Sequence, residues 1–253
     1  ACLKDYVSAK NMKARIPAGM FLVSAASLMY EISLARLLAI ELWHHYAFLI
    51  ISCALLGYGA AGAFRLTWTG RIPLFLPVLS FSLLLIPLFL LSSQLPFDPA
   101  LMSLDPWHGG WLLLSFLLLA VPFFLAGLTL NLLLEQFTEH VHFLYASDLV
   151  GASCGILLFF LFVPHLVETE VLGISALLAA ASSLCLASGK KQNAAAVMIS
   201  LVLMLSWFGL EKIKFKISDY KELPLALRYP QSRLLETQRD ASVRIDTLET
   251  TMA

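Results

Sequence analysis

Charge is what this sequence has least of. Of its 253 residues only 13% are Asp, Glu, Lys or Arg, about half the share of an ordinary soluble domain. The 17 basic and 17 acidic residues cancel, and with no basic patch the balance excludes nucleic acid as an expected partner. The four cysteines, Cys2, Cys53, Cys154 and Cys185, are scattered without a C-x-x-C. That excludes a disulfide framework and a thiolate zinc site as expectations. H-E-x-x-H, G-x-S-x-G, Walker and zinc-deaminase signatures are all missing, so no residue qualifies as catalytic and none calls for a cofactor.

What fills the space is apolar. Hydrophobic residues make up 59% of the chain and mean hydropathy is +0.82, leaving too little polar surface to cover a water-soluble body. A helix needs about 20 mostly apolar residues to cross the hydrocarbon core. Seven segments qualify: 18–42, 46–65, 73–93, 111–134, 143–164, 170–187 and 194–210. The expected fold is an all-α polytopic membrane protein with about seven transmembrane helices and a short C-terminal β-hairpin extension. Its parts are an N-terminal segment over 1–17, a membrane domain over 18–210 and an extramembrane tail over 211–253. Pro73, Pro77 and Pro87 predict bends in the third span and Pro122 in the fourth, since an internal proline removes a backbone hydrogen bond.

Lys and Arg sort by connection. Lys4, Lys10, Lys13 and Arg15 precede the first span, Arg65 and Arg71 follow the second, and Lys190 and Lys191 follow the sixth. The connections after spans one, three and five contain none. The positive-inside rule then puts the N-terminus in the cytoplasm, and seven spans put the tail outside, although Lys212, Lys214 and Lys216 at its start favour the inside. In the tail, "KIKFKIS" alternates like a strand, and "SRLLETQRDASVRIDTLE" reads as two strands about a turn near Arg239-Asp240. A hairpin of this size is marginal alone, so the tail 211–253 is expected to lean on the membrane body or a protein partner.

Several residues invite function. The string Gly57-Tyr58-Gly59-Ala60-Ala61-Gly62 matches the dinucleotide fingerprint G-x-G-x-x-G. That fingerprint needs a strand before it and a helix opening at its end, whereas these glycines fall inside the second span, where every backbone N–H serves the helix ladder. They predict helix packing instead, with Gly57 and Ala61, or Gly59 and Ala63, facing the first span or the fifth. Ser147, Gly151 and Gly155 form a second small-residue stripe. Glu31 falls mid-span and Asp148 lies in the fifth span, with Asn131 of the fourth at similar depth to bond it. Intramembrane acids of this kind mark either a ligand or proton path, or a polar contact between helices. Arg36 lies about 140° around the helix from Glu31, so the two do not pair, and Arg36 is expected to snorkel toward the outer interface. His44, His45, His108 and His165 all fall in outward connections with Glu41, Asp98, Asp105, Glu168 and Glu170. They offer metal ligands or, with Trp43, Trp107 and Trp111, a plain interfacial rim.

Three stretches carry a resemblance. "LMYEISLARLLAIELWHHYAFLIISCALLGYGAAGAF" resembles the opening spans of bacterial spermidine-synthase-like membrane proteins, the transporter–spermidine synthase fusion type. "FLYASDLVGASCGILLF" is similar to an Asp-Leu-x-Gly-Ala span of that family, and "SDYKELPLALRYPQSRLLETQRDASVRIDTLET" to its junction with an aminopropyltransferase-like domain. The resemblance implies a multi-pass domain of the bacterial inner membrane. It also implies a Rossmann-like domain with an S-adenosyl-type cosubstrate beyond the hairpin, absent from these 253 residues or carried by a partner, so the chain as it stands is not expected to catalyse. Two alternatives stay open: a bundle handling a polyamine or another small cation through Glu31 and Asp148, and an accessory subunit of a larger membrane complex.

Overall fold

A computed structural model describes residues 2–41, 47–68, 70–96, 107–210, 226, 232–239 and 244–249, with side chains in α1 described from residue 14 and in α7 as far as residue 205. Seven helices follow one another among these residues: α1 (Cys2–Glu41), α2 (Ala47–Thr67), α3 (Phe75–Ser93), α4 (Trp107–Gln136), α5 (Val141–Phe162), α6 (Glu168–Leu186) and α7 (Lys190–Leu210). A 3₁₀ turn, Thr138–His140, joins α4 to α5. Six of the helices are long and apolar enough to cross a membrane. The seventh, α7, is 21 residues long and turns Val197, Met198, Leu201, Val202, Met204 and Leu205 outward. The chain is an all-α polytopic membrane protein.

Two expectations need adjustment. Residues 2–17 are helical and continuous with the first span, so the basic N-terminal segment extends α1 rather than preceding it. The third span bears fewer breaks than its prolines suggest. Pro73 precedes α3 and Pro77 lies in its first turn, where the N–H has no intrahelical partner to lose. Pro87 and Pro122 are the interior prolines of α3 and α4.

Five helices close into a ring in the order α1–α6–α3–α4–α2, each touching the next and α2 returning to α1. Their facing side chains form one core, with Tyr30, Phe81, Leu85, Phe123 and Ala176 fully buried. Tyr30 is its centre: its ring lies 5.4 Å from that of Phe123, and its hydroxyl donates to the Leu85 carbonyl at 3.3 Å. Outside the ring, α5 lies against α1, and α7 against α6. In the spanning windows 61% of α1 and of α6 is buried against 22% of α5, so α1 and α6 are the inner helices and α5 a peripheral one.

Apolar side chains also cover the outside. Phe48 and Leu55 of α2, Leu157 of α5 and Leu205 of α7 are each more than 65% exposed, a surface that fits contact with lipid. Successive helices run in opposite directions, which gathers Arg15, Arg65, Arg71, Lys190 and Lys191 at one end of the bundle.

The expected hairpin is present. β1 (Arg233–Arg239) pairs antiparallel with β2 (Arg244–Glu249), with an irregularity between Leu234 and Glu236. The Thr237 hydroxyl donates to Asp246 across the pair at 2.6 Å. The expected strand over "KIKFKIS" lies outside the described residues.

Candidate functional site

Close packing on both sides of α1 positions the polar residues. On α5, Gly151 and Gly155 lie directly on the backbone of Phe21 and Ala25 of α1. A Cβ on either glycine would collide with a carbonyl, so Gly151 and Gly155 lie on the face that meets α1. Ser147 itself turns its hydroxyl back to the Phe143 carbonyl at 2.8 Å. On the other side, Gly57 meets Ala120, Phe123 and Phe124 of α4, and Gly127 of α4 meets Tyr58 and Ala61. Gly57 and Ala61 therefore pack against α4 rather than the first or fifth span. Gly59 has nothing within 4 Å of its would-be Cβ and packs no helix. The reason is angular: residues two apart on a helix point about 200° apart, so Gly57 and Gly59 cannot share a face.

Between these contacts α1 presents Ser24, Ser27 and Glu31, spaced three and four along one face. The Ser24 hydroxyl hydrogen-bonds Asp148 Oδ1 of α5, and the Ser27 and Tyr58 hydroxyls hydrogen-bond each other at 2.5 Å. Glu31 and Asp148 are both half-buried and lie within electrostatic reach of Tyr58. Ser24 Oγ also reaches the Met20 carbonyl at 3.0 Å. Asp148, Ser24, Ser27, Tyr58 and Glu31 thus lie along one polar seam among α1, α2 and α5, in which Ser24 bonds Asp148 and Ser27 bonds Tyr58.

The two sequence-predicted acids therefore share one seam, and Asn131 does not join it. Asp148 bonds α1, and α4 touches α5 only slightly; no hydrogen bond links Asn131 to Asp148 among the described residues.

Arg36 does not snorkel. Its guanidinium is 10% exposed and pairs at 3.8 Å with Glu168, which is 3% exposed, at the start of α6. The acid grouped above with metal-ligand candidates is instead the structural partner of Arg36. Glu170 accepts from the Val167 N–H at 2.8 Å and caps the same helix. His44 and His45 lie outside the described residues, His108 opens α4, and His165 lies exposed in the α5–α6 turn. Among the described residues no three His, Cys, Asp or Glu side chains gather as a metal group.

Ser24, Ser27 and Tyr58 escaped the sequence reading. Hydroxyls are common in membrane helices, and the signal that distinguishes these is their three-and-four spacing ahead of Glu31. No known protein family, curated protein or solved structure matches the chain.

Proposed function

We propose that this chain is a membrane-embedded domain that handles a small cation, a proton or an organic amine such as a polyamine, along the Glu31–Asp148 seam. The observation that carries the reading is that half-buried acids from two helices, Glu31 of α1 and Asp148 of α5, lie near Tyr58, with Ser24 bonded to Asp148 and Ser27 to Tyr58. Intramembrane carboxyls are costly and mark ion or proton paths. Two of them near one another provide a counter-charge for an ammonium.

The test is flux of radiolabelled spermidine, with a proton-sensitive dye, across proteoliposomes holding the full chain. Glu31→Gln and Asp148→Asn keep side-chain volume and remove the charge. Loss of flux in both, with folded protein retained in the membrane, supports the reading; unchanged flux in both removes it.

A second reading is favoured by the hairpin. Two strands alone are marginal in water, and the edges of β1 and β2 offer a template for strand addition. This suits the anchoring role implied by the resemblance to spermidine-synthase-like membrane proteins, in which the tail docks an aminopropyltransferase-like domain. That reading expects a cosubstrate-binding domain encoded in frame after residue 253 or by a neighbouring gene, and the lack of both removes it.

A further inference from the structure

The polar seam lies open on one side of α1. From Ser24, Phe21 stands about 60° one way around the helix and Ser27 about 60° the other. Phe21 carries α5, which packs on it through Gly151, and Ser27 carries α2, which it bonds through Tyr58 at 2.5 Å. Ser24, Leu28 and Glu31 therefore fall between the two attachments. On the far side of α1, α6 is joined through Ser182 and Gly19, and α3, α4 and α7 pack on α2, on α6 or on one another. No packing interface joins α2 to α5 among the described residues. A groove thus runs along α1 between α2 and α5 and opens on the outer surface of the bundle.

The groove has a polar floor and apolar lips. Leu28 and Glu31 on its floor are both half-buried. Ile51 and Leu55 stand within about 60° of Tyr58 around α2 and are 47% and 69% exposed. Ala152, four residues beyond Asp148 on α5, is half-buried on the other lip. In a membrane-spanning bundle an apolar outer surface of this kind meets hydrocarbon.

One carboxyl in the groove is uncommitted. Asp148 is bonded by Ser24, whereas Glu31 has no hydrogen bond or ion pair among the described residues. Arg36, the nearest basic residue along α1, is engaged by Glu168. A carboxyl at this depth calls for a cation. Beside it, the Ser27 and Tyr58 hydroxyls bond each other, and a hydroxyl oxygen has two lone pairs, so the pair can still accept an N–H.

We infer that the groove admits an alkylamine sideways from the bilayer, with its ammonium on Glu31 and the Ser27–Tyr58 hydroxyls and its chain along Leu28, Ile51 and Leu55. Asp148 adds negative charge without giving up Ser24. The inference rests on the reading of the seam as an amine site and narrows its class to an amine that the hydrocarbon phase delivers. Depth rules out the headgroup of a bilayer phospholipid as the source. Glu31 lies ten residues from Glu41 at the end of α1, about 15 Å along the axis, whereas headgroups stay at the interface.

The test is carbodiimide labelling of the full chain in phosphatidylcholine vesicles, with the adduct located by peptide mass spectrometry. The membrane-soluble dicyclohexylcarbodiimide is expected to label Glu31, and a charged, water-soluble carbodiimide is expected to leave it unlabelled. Dodecylamine is expected to suppress the labelling, while dodecanol, which has the same chain without the amine, and spermidine, which stays in water, are not. Labelling by the charged reagent, no labelling by either reagent, or protection by dodecanol or spermidine equal to that by dodecylamine overturns the inference. Protection by phosphatidylethanolamine vesicles with no added amine assigns the groove to a lipid headgroup and overturns it as well. Spermidine flux separates the two readings. Flux that needs Glu31 and Asp148 while the charged reagent labels Glu31 keeps the cation site and removes the lateral route. Dodecylamine protection with flux unchanged in Glu31→Gln and Asp148→Asn keeps the groove and removes spermidine transport.

Discussion

Arg15 and Arg36, both on α1, hold opposite ends of α6. Arg15 donates to the carbonyls of Leu184 at 2.9 Å and Ala187 at 3.2 Å, and Arg36 pairs with Glu168 at 3.8 Å. The last carbonyls of a helix lack intrahelical donors and carry its negative dipole end, so a guanidinium there satisfies both. An acid in the first turn suits the positive end equally. The inner pair of the bundle is thus clamped along its length, with the Ser182 hydroxyl donating to the Gly19 carbonyl at 2.8 Å between the clamps.

The Arg36–Glu168 pair gives the first prediction. Removing one member of a buried pair leaves the other without its ion-pair partner, which typically costs about 3–5 kcal/mol. Arg36→Met should therefore lower the thermal midpoint in detergent sharply. The double variant Arg36→Met with Glu168→Leu should recover part of the loss, because both charges of the pair are then gone. Equal damage in the single and double variants would mean that the pair contributes through shape alone.

Gly57 and Gly59 give the second. A Cβ at Gly57 meets the α4 backbone at 2.7 Å, whereas one at Gly59 meets nothing within 4 Å. Gly57→Leu should destabilise by at least the ~1–3 kcal/mol of ordinary overpacking. Gly59→Leu should be neutral or slightly stabilising, since leucine is the better helix former. Thermal unfolding of the two variants side by side decides it.

The α1–α5 contact gives the third. Gly151→Leu should push α5 from α1 and carry Asp148 away from Ser24. Cysteines placed at Phe21 and Ala152 report this by disulfide formation. Cross-linking is expected in the otherwise unaltered chain and is expected to fall when Gly151→Leu is added, while Asp148→Asn leaves it intact. Persistent cross-linking in Gly151→Leu would mean that α5 tolerates a side chain at its closest approach.

A fourth concerns Arg65. Lysine preserves the charge but cannot reproduce a planar fork on Glu135 together with two carbonyl contacts. Arg65→Lys should lower stability by about 1–2 kcal/mol, and the Trp68 fluorescence should shift as its turn loosens. An unchanged spectrum and midpoint would show that charge alone suffices there.

Much of the fold was legible in one dimension because lipid imposes a simple rule. A backbone in hydrocarbon must satisfy its own hydrogen bonds, so apolar length alone announced the helices, and charge-poor connections separated them. Sequence pattern also set the hairpin and identified Gly151 and Gly155 as a packing face. The candidate site was half legible. Glu31 and Asp148 stood out because charge is rare in this chain, whereas Ser24, Ser27 and Tyr58 resembled ordinary helix composition.

What the sequence determined by itself is the class of the protein: several apolar helices, an outer surface for lipid, and two acids within the spans. Which helix neighbours which was decided only by tertiary packing. Small residues say that a backbone comes close, but not whose, and Gly57 met α4 where the fifth or first span was equally compatible with the string. The same holds for Arg36 and Asp148. A buried charge or hydroxyl takes whichever partner the packing brings within about 3–4 Å. For Arg36 that was Glu168, far along the chain, and for Asp148 it was Ser24 rather than Asn131.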